Sequence, residues 1–183
     1  MSKLKTEVIK YSKKLNITNL SVLRSGNISV RVKEKGIDGF YITPSGMKYS
    51  TLKIRDIVFV SLKGVFDKKK GKPSSEWRFH QDIYVNKKEA KAIVHAHSTC
   101  ATAVSSHQNN IPAFHYMVAV AGGEDLKCTK YATFGTKQLS KNIIKALKDR
   151  SACLIANHGQ VAFGDNLEKT FELAQEIENI CHQ

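Results

Sequence analysis

Long apolar runs are missing from this sequence. No stretch approaches the roughly 20 residues that a bilayer-spanning helix needs. Residues 1–14 alternate Lys with Leu, Val and Ile, unlike the continuous apolar core of a secretory signal. Cysteine is sparse, four in 183 residues, and never paired as C-x-x-C, so neither a disulfide framework nor a zinc knuckle is expected. Cys100, Cys128, Cys153 and Cys181 read instead as reduced thiols, mostly small buried hydrophobes. A cytoplasmic location without a membrane partner is the resulting expectation. There are only three prolines, no internal repeat and no low-complexity linker, so residues 1–183 read as one domain around one core.

Acidic residues are also few, 16 against 29 Lys and Arg, which leaves a net charge of +13. Such a balance raises nucleic acid as a partner. The lysines, however, are scattered along the chain. Their one dense run, Lys68-Lys69-Lys70-Gly71-Lys72, has no interleaved aromatics to stack on bases. A solvated basic surface is expected, with steering of anionic substrates as the second reading and no nucleic-acid partner.

Periodicity supplies the elements. Leu4, Val8, Ile9 and Leu15 predict a helix over residues 3–15, and Leu139, Ile143 and Leu147 another. Leu167, Phe171, Ala174 and Ile177 form the stripe of a last helix. Ser74 and Ser75 are candidate caps for a helix over 76–85, and a further helix is expected over 98–106. Strands are expected around Ile28 to Val32 and over 40–43, 57–62, 92–96, 153–156 and 161–163. Several strands follow one another through short turns, so a mixed or antiparallel sheet covered by helices fits best.

The sharpest chemical signal is His95-Ala96-His97, behind the apolar strand Ala92-Ile93-Val94. Alternate side chains of an extended segment share a face, at about 6.5–7 Å between Cα atoms. Two imidazoles can therefore converge on one metal ion. A catalytic zinc site asks for three protein ligands and an open position, and His158, just past another apolar strand in Asn157-His158-Gly159, is the natural third ligand. His80, His107, His115 and His182 lack this context and are read as structural. Glu76 could ligate the metal or act as a general base, although a first-turn glutamate favoured by the helix dipole is the commoner case. Three turns, Ser25-Gly26-Asn27, Thr43-Pro44-Ser45-Gly46 and Ser74-Ser75, offer hydroxyls and backbone N–H groups. Together they suggest a phosphate pocket held mainly by neutral donors.

These segments carry a resemblance. Ser25-Gly26-Asn27, residues 42–46, Pro-Ser-Ser-Glu-Trp-Arg-Phe-His at 73–80, the His95/His97 pair, Ile111-Pro112 with His115-Tyr116-Met117, Ala121-Gly122-Gly123, Tyr-Ala-Thr-Phe-Gly-Thr at 131–136 and Asn157-His158-Gly159 run in this order over nearly the whole chain. In them the sequence resembles the class II aldolase and adducin N-terminal family, and within it the bacterial aldolases of L-fuculose 1-phosphate. The resemblance implies a three-layer α/β/α fold with a central, largely antiparallel sheet. It implies a homotetramer with active sites between subunits, and reversible cleavage of L-fuculose 1-phosphate, or a close sugar phosphate, to dihydroxyacetone phosphate and L-lactaldehyde. It implies one Zn2+ per subunit on His95, His97 and His158, with Glu76 as a further ligand and then as the base. The substrate phosphate would lie against Gly26, Asn27, Thr43, Ser45, Gly46, Ser74 and Ser75. Tyr116 would donate a proton from a neighbouring subunit, and Phe134 would wall the aldehyde site. Ser45 stands where the aldolases have threonine, and they continue for some tens of residues beyond the equivalent of Gln183. Their tail carries another aromatic hydroxyl. The same ligands would also serve an epimerase, a dehydratase or a decarboxylase on this fold. A non-catalytic adducin-type module is opposed by the complete ligand set.

Overall fold

The computed structural model describes residues 2–183. Its chain order is helix α1 (Ser2–Ile17), strands β1 (Asn27–Glu34), β2 (Ile37–Ile42) and β3 (Val58–Ser61), helix α2 (Trp77–Asn86), strand β4 (Ala92–Ala96), helices α3 (Thr99–Ser105) and α4 (Lys137–Ala146), strands β5 (Ala152–Ile155) and β6 (Gly159–Gly164), and helix α5 (Leu167–His182). Short 3-10 turns at Tyr49–Thr51, Ile54–Asp56, Lys68–Lys70 and Tyr116–Ala121 fill the longer connections.

The six strands form one sheet in the order β3-β2-β1-β4-β6-β5, and every neighbouring pair is antiparallel. Alternation along the strands divides the core in two. Ile28 and Val30 of β1 and Ala92, Val94 and Ala96 of β4 face a layer made by α1, α3 and α5, where Val8, Leu15, Phe171 and Ile177 are buried. Phe40, Ile42 and Ile93 face the opposite layer of α2 and α4, where Phe79, Ile83, Leu139 and Ile143 are buried. The fold is therefore the expected three-layer α/β/α arrangement, with a sheet that is antiparallel throughout.

The helix and strand predictions stand with shifts of a few residues at their ends, with two corrections. Ser74 and Ser75 do not cap α2. Glu76 takes the N-cap position itself, makes no side-chain capping bond, and its N–H donates to Ser74 Oγ at 3.3 Å. Freed from capping, the Glu76 carboxylate can turn into the sheet. The cysteines are also less buried than expected. Only Cys153 is fully enclosed, while Cys100, Cys128 and Cys181 are partly exposed because they lie at element ends and in a connection. No helix of the described residues is long and apolar enough to cross a membrane.

Candidate metal and active site

Topology brings the histidines together. β4 and β5 run parallel to each other with β6 between them, so their C-terminal ends lie on the same edge of the sheet. His95 lies near the end of β4, His97 follows it, and His158 follows β5. Two glycines let these segments approach. A Cβ at Gly159 would collide with the Ala96 carbonyl oxygen, and one at Gly26 would lie 2.7 Å from the His95 carbonyl oxygen, where the backbone φ is +75°. Asn157 takes a left-handed conformation (φ 56°), which asparagine tolerates, and turns the chain into His158. Ser21 Oγ accepts the His97 backbone N–H at 2.9 Å, tying the histidine segment to the loop after α1.

The three rings meet edge to edge. The Nε2 atoms of His95 and His158 are each 2.9 Å from His97 Nε2. Glu76 completes the cluster, with Oε2 3.1 Å from His95 Nε2 and Oε1 3.3 Å from His158 Nε2. His95 and Glu76 are buried, and His97 and His158 are nearly so. One tautomer follows from chemistry. His95 Nδ1 is 2.7 Å from the Gln160 carbonyl oxygen, which can only accept, so Nδ1 carries a proton, and in the neutral ring Nε2 turns a lone pair to the cluster. Burial pushes the Glu76 carboxyl up, but the imidazoles of His95, His158 and His97 outweigh it and hold it below the usual carboxylate range. Burial, reinforced by His95, lowers His97 to about 3 and His158 to about 4, so both are neutral nitrogen donors at pH 7.

Such a group asks for a cation. Three imidazole nitrogens converge through 2.9 Å contacts, and Glu76 Oε1 is buried without a hydrogen-bond partner. A metal ion satisfies both conditions at once. The four ligand atoms lie within 4.8 Å of one another, and three imidazoles with one carboxylate are a donor set that divalent transition metals accept.

Beside the cluster opens a cavity of about 410 Å³. Gly26, Asn27, Ser45, Gly46, Ser74 and Ser75 line it together with Glu76, His97 and His158. Thr43 does not. It is fully buried behind the pocket, where Oγ1 accepts the Ile28 N–H at 3.3 Å and the carbonyl accepts the Ser74 N–H at 3.0 Å. It fastens one turn of the pocket to another. Asn27 reaches the cavity, but its side-chain amide donates to Glu76 Oε2 at 3.0 Å. One charged donor joins the neutral ones, because Arg24 lines the cavity and its guanidinium donates to the Gly46 carbonyl at 3.1 Å. Tyr49, Tyr131 and Asn157 are further lining residues, and the Tyr49 hydroxyl donates to the Gly26 carbonyl. Phe134 lines the cavity and is 63% exposed. Tyr116 does not join the site within this chain. It is 80% exposed in the turn Tyr116–Ala121 and borders a separate surface depression with Phe114 and His115.

A family model described as Class II Aldolase and Adducin N-terminal domain matches residues 6–183. This chain belongs to that family. The aldolase is 43% identical over 177 residues to the L-fuculose phosphate aldolase of Escherichia coli K12, covering 97% of this chain and 80% of the relative. It is 45% identical over 159 residues to the 5-methylthioribulose-1-phosphate/5-deoxyribulose-1-phosphate aldolase of Rhodospirillum rubrum, covering 87% and 70%. Among solved structures, an L-fuculose 1-phosphate aldolase superposes with a TM-score of 0.93 at 41% identity, covering all of this chain and 84% of the other. The protein is thus an enzyme, a carbon–carbon lyase of the class II aldolase type. Class II aldolases are metal-dependent, and the Glu76/His95/His97/His158 cluster is the group that could hold the ion.

Proposed function

We propose that this aldolase cleaves L-fuculose 1-phosphate reversibly to dihydroxyacetone phosphate and L-lactaldehyde, using zinc held by His95, His97 and His158. The observation that carries the reading is the placement of a Glu76 carboxylate and three imidazoles directly beside a pocket lined by hydroxyl- and amide-bearing turns. The relatives' names support the substrate class, since they act on L-fuculose phosphate and on 5-methylthioribulose or 5-deoxyribulose 1-phosphate. Those last two ketose phosphates are the second reading, favoured by the 45% identity to the Rhodospirillum rubrum enzyme.

The residues would divide the work as follows. The zinc ion, when bound, would polarise the substrate carbonyl and balance the negative charge that develops on its oxygen. Ser45, Gly46, Ser74 and Ser75 would bind the phosphate through neutral donors, and Arg24 would add one charged donor at the rim. In the synthetic direction Glu76 takes the proton from the carbon beside the carbonyl, and that carbon forms the bond to the aldehyde carbon. In a homotetramer, Tyr116 of a neighbouring subunit gives its phenolic proton to the aldehyde oxygen, which becomes the new hydroxyl. Phe134, exposed on the cavity wall, bounds the space for the aldehyde. No lysine needs a catalytic role, because the carbonyl is activated without a Schiff base.

The test is release of dihydroxyacetone phosphate from L-fuculose 1-phosphate, 5-deoxyribulose 1-phosphate and 5-methylthioribulose 1-phosphate by metal-loaded enzyme. A higher kcat/KM for L-fuculose 1-phosphate is expected. A preference for either of the other two moves the assignment to the second reading, and no release from any of the three removes both.

A further inference from the structure

Behind Glu76 lies a line of buried polar groups that the reaction as described does not use. Glu76, His80 and Tyr84 are spaced i, i+4, i+8 and lie along one side of α2 from its N-cap. Asn27, Ser29 and Arg31 alternate along β1 on the sheet face that looks toward α2. The two spacings match, because four helical residues rise about 6 Å and two strand residues about 6.5–7 Å. The two rows therefore interlock. Tyr84 Oη is 2.8 Å from Ser29 Oγ, Ser29 Oγ is 2.7 Å from His80 Nδ1, His80 Nε2 meets Asn27 Oδ1, and Asn27 Nδ2 is 3.0 Å from Glu76 Oε2. Each of these five side chains is buried.

The direction of the chain is fixed from its Glu76 end. The ionised Glu76 carboxylate only accepts, so the Asn27 atom facing it is the NH2 group. The Asn27 oxygen then faces His80 Nε2, which must carry the ring proton. Nδ1 is left as an acceptor, so Ser29 donates to it and can accept from Tyr84. Every bond thus donates toward Glu76. If the proton of His80 moved to Nδ1, two acceptors would face each other at Nε2, and the Asn27 amide would be free to rotate away from the carboxylate. The aromatic rings of Phe79, stacked at 4.6 Å, and Phe40, at 6.4 Å, hold the His80 ring in plane with no alternative polar partner.

We propose that His80 is a positioning residue for Glu76, acting through Asn27, with Ser29 fixing the His80 tautomer. This rests on Glu76 being the base that takes the proton from dihydroxyacetone phosphate. His80 touches neither substrate nor metal, so its contribution is to keep the amide of Asn27 turned so that one carboxylate oxygen is held and the other stays free. Partners one step removed from metal ligands typically change activity about 10- to 100-fold when replaced, and His80, one step further out behind Asn27, should lie at the lower end of that range.

The experiment measures solvent deuterium exchange into dihydroxyacetone phosphate by zinc-loaded full-length enzyme, with rates per bound zinc. Wild type must exchange, and if it does not, the proposed base reaction fails before His80 is tested. His80→Phe fills the same stacked space without a donor or acceptor. It is expected to lower kcat for exchange about tenfold with KM within about twofold. His80→Gln, which can donate to Asn27 and accept from Ser29, should recover most of the loss. In an Asn27→Ala background, His80→Phe should add little further loss, because the two act in series. Should His80→Phe fail to fold, Ser29→Ala carries the test, with a smaller loss in kcat expected. Unchanged kcat in His80→Phe or, in its place, in Ser29→Ala overturns the proposal. So does a full additional loss from His80→Phe in the Asn27→Ala background.

Discussion

Replacing Glu76 by Gln separates the base from the scaffold. The carboxylate has two different neighbours: Oε2 accepts from Asn27 Nδ2 at 3.0 Å, and Oε1 faces His158 Nε2 at 3.3 Å without a hydrogen bond. A glutamine would place its carbonyl oxygen at the first position, where a donor waits, and its NH2 at the second. The Asn27 bond survives, the side chain keeps its shape, and the three imidazoles remain, so the variant should fold and bind metal when metal is supplied in excess. What it loses is an oxygen that can accept a proton at neutral pH. A positioned general base is worth about 10²–10⁴ in rate, or about 3–5 kcal/mol of barrier at 1.36 kcal/mol per decade. Exchange of the dihydroxyacetone phosphate proton with deuterated solvent, followed by NMR under saturating zinc, should therefore fall by at least a hundredfold. Binding of the phosphate should change little. Exchange within tenfold of wild type, with zinc content confirmed, would refute the assignment of Glu76 as base.

Two further outcomes follow from the same geometry. Arg24→Ala and Ser75→Ala should each raise KM for the ketose phosphate by roughly tenfold while leaving kcat within a few-fold, as one charge-assisted hydrogen bond to the phosphate is lost. An unchanged KM in both variants would place the phosphate elsewhere. With metal removed by a chelator, the melting temperature should fall as pH is lowered from about 6.5 toward 4. Burial lowers His80 and His97 to about 3 and His158 to about 4, so the unfolded chain takes up these protons first and unfolding is favoured across that window. A melting temperature that is flat across that window would contradict it.

Local periodicity made most of the scaffold legible. The apolar run at 92–96 is β4 to the residue, and the i, i+4, i+8 spacing of Leu139, Ile143 and Leu147 marks α4. The His95/His97 pair was legible because a strand puts alternate residues on one face. That His158 joins them depends on β4 and β5 being parallel with β6 between, a long-range pairing that no local pattern states. The capping expectation at Ser74 and Ser75 failed because cap preference describes an isolated helix end, whereas here the N-cap side chain is drawn into the sheet by Asn27 and the imidazoles. His80 read as structural for a related reason. Its i+4 spacing from Glu76 is visible in the sequence, but its meaning lies in the facing register of Asn27 and Ser29 on β1. Arg24 escaped notice because a single arginine in a loop has no period, and only the folded turn sets it beside Gly46.

Tyr116 poses the sharpest question about assembly. It is 80% exposed and has no place in the cavity of its own chain, and its proposed role is therefore played from a neighbouring subunit. Complementation tests this directly. Tyr116→Phe subunits keep Glu76, and Glu76→Gln subunits keep Tyr116. Each variant alone should be defective in aldol addition, although Tyr116→Phe should retain proton exchange because that step needs the metal site and Glu76 but not Tyr116. If subunits are dissociated, mixed in equal amounts and reassembled at random, each site draws Glu76 from one subunit and Tyr116 from its neighbour. About a quarter of the sites in a cyclic assembly then receive both intact groups. Addition activity should rise to about that fraction of wild type, well above the mean of the two unmixed variants. Were Tyr116 to serve the site of its own chain, no mixed assembly would contain an intact site. Activity would stay at the unmixed level, and the proton donor to the aldehyde would have to be sought within the cavity, where Tyr131 carries an exposed phenol and the Tyr49 hydroxyl is already engaged by the Gly26 carbonyl.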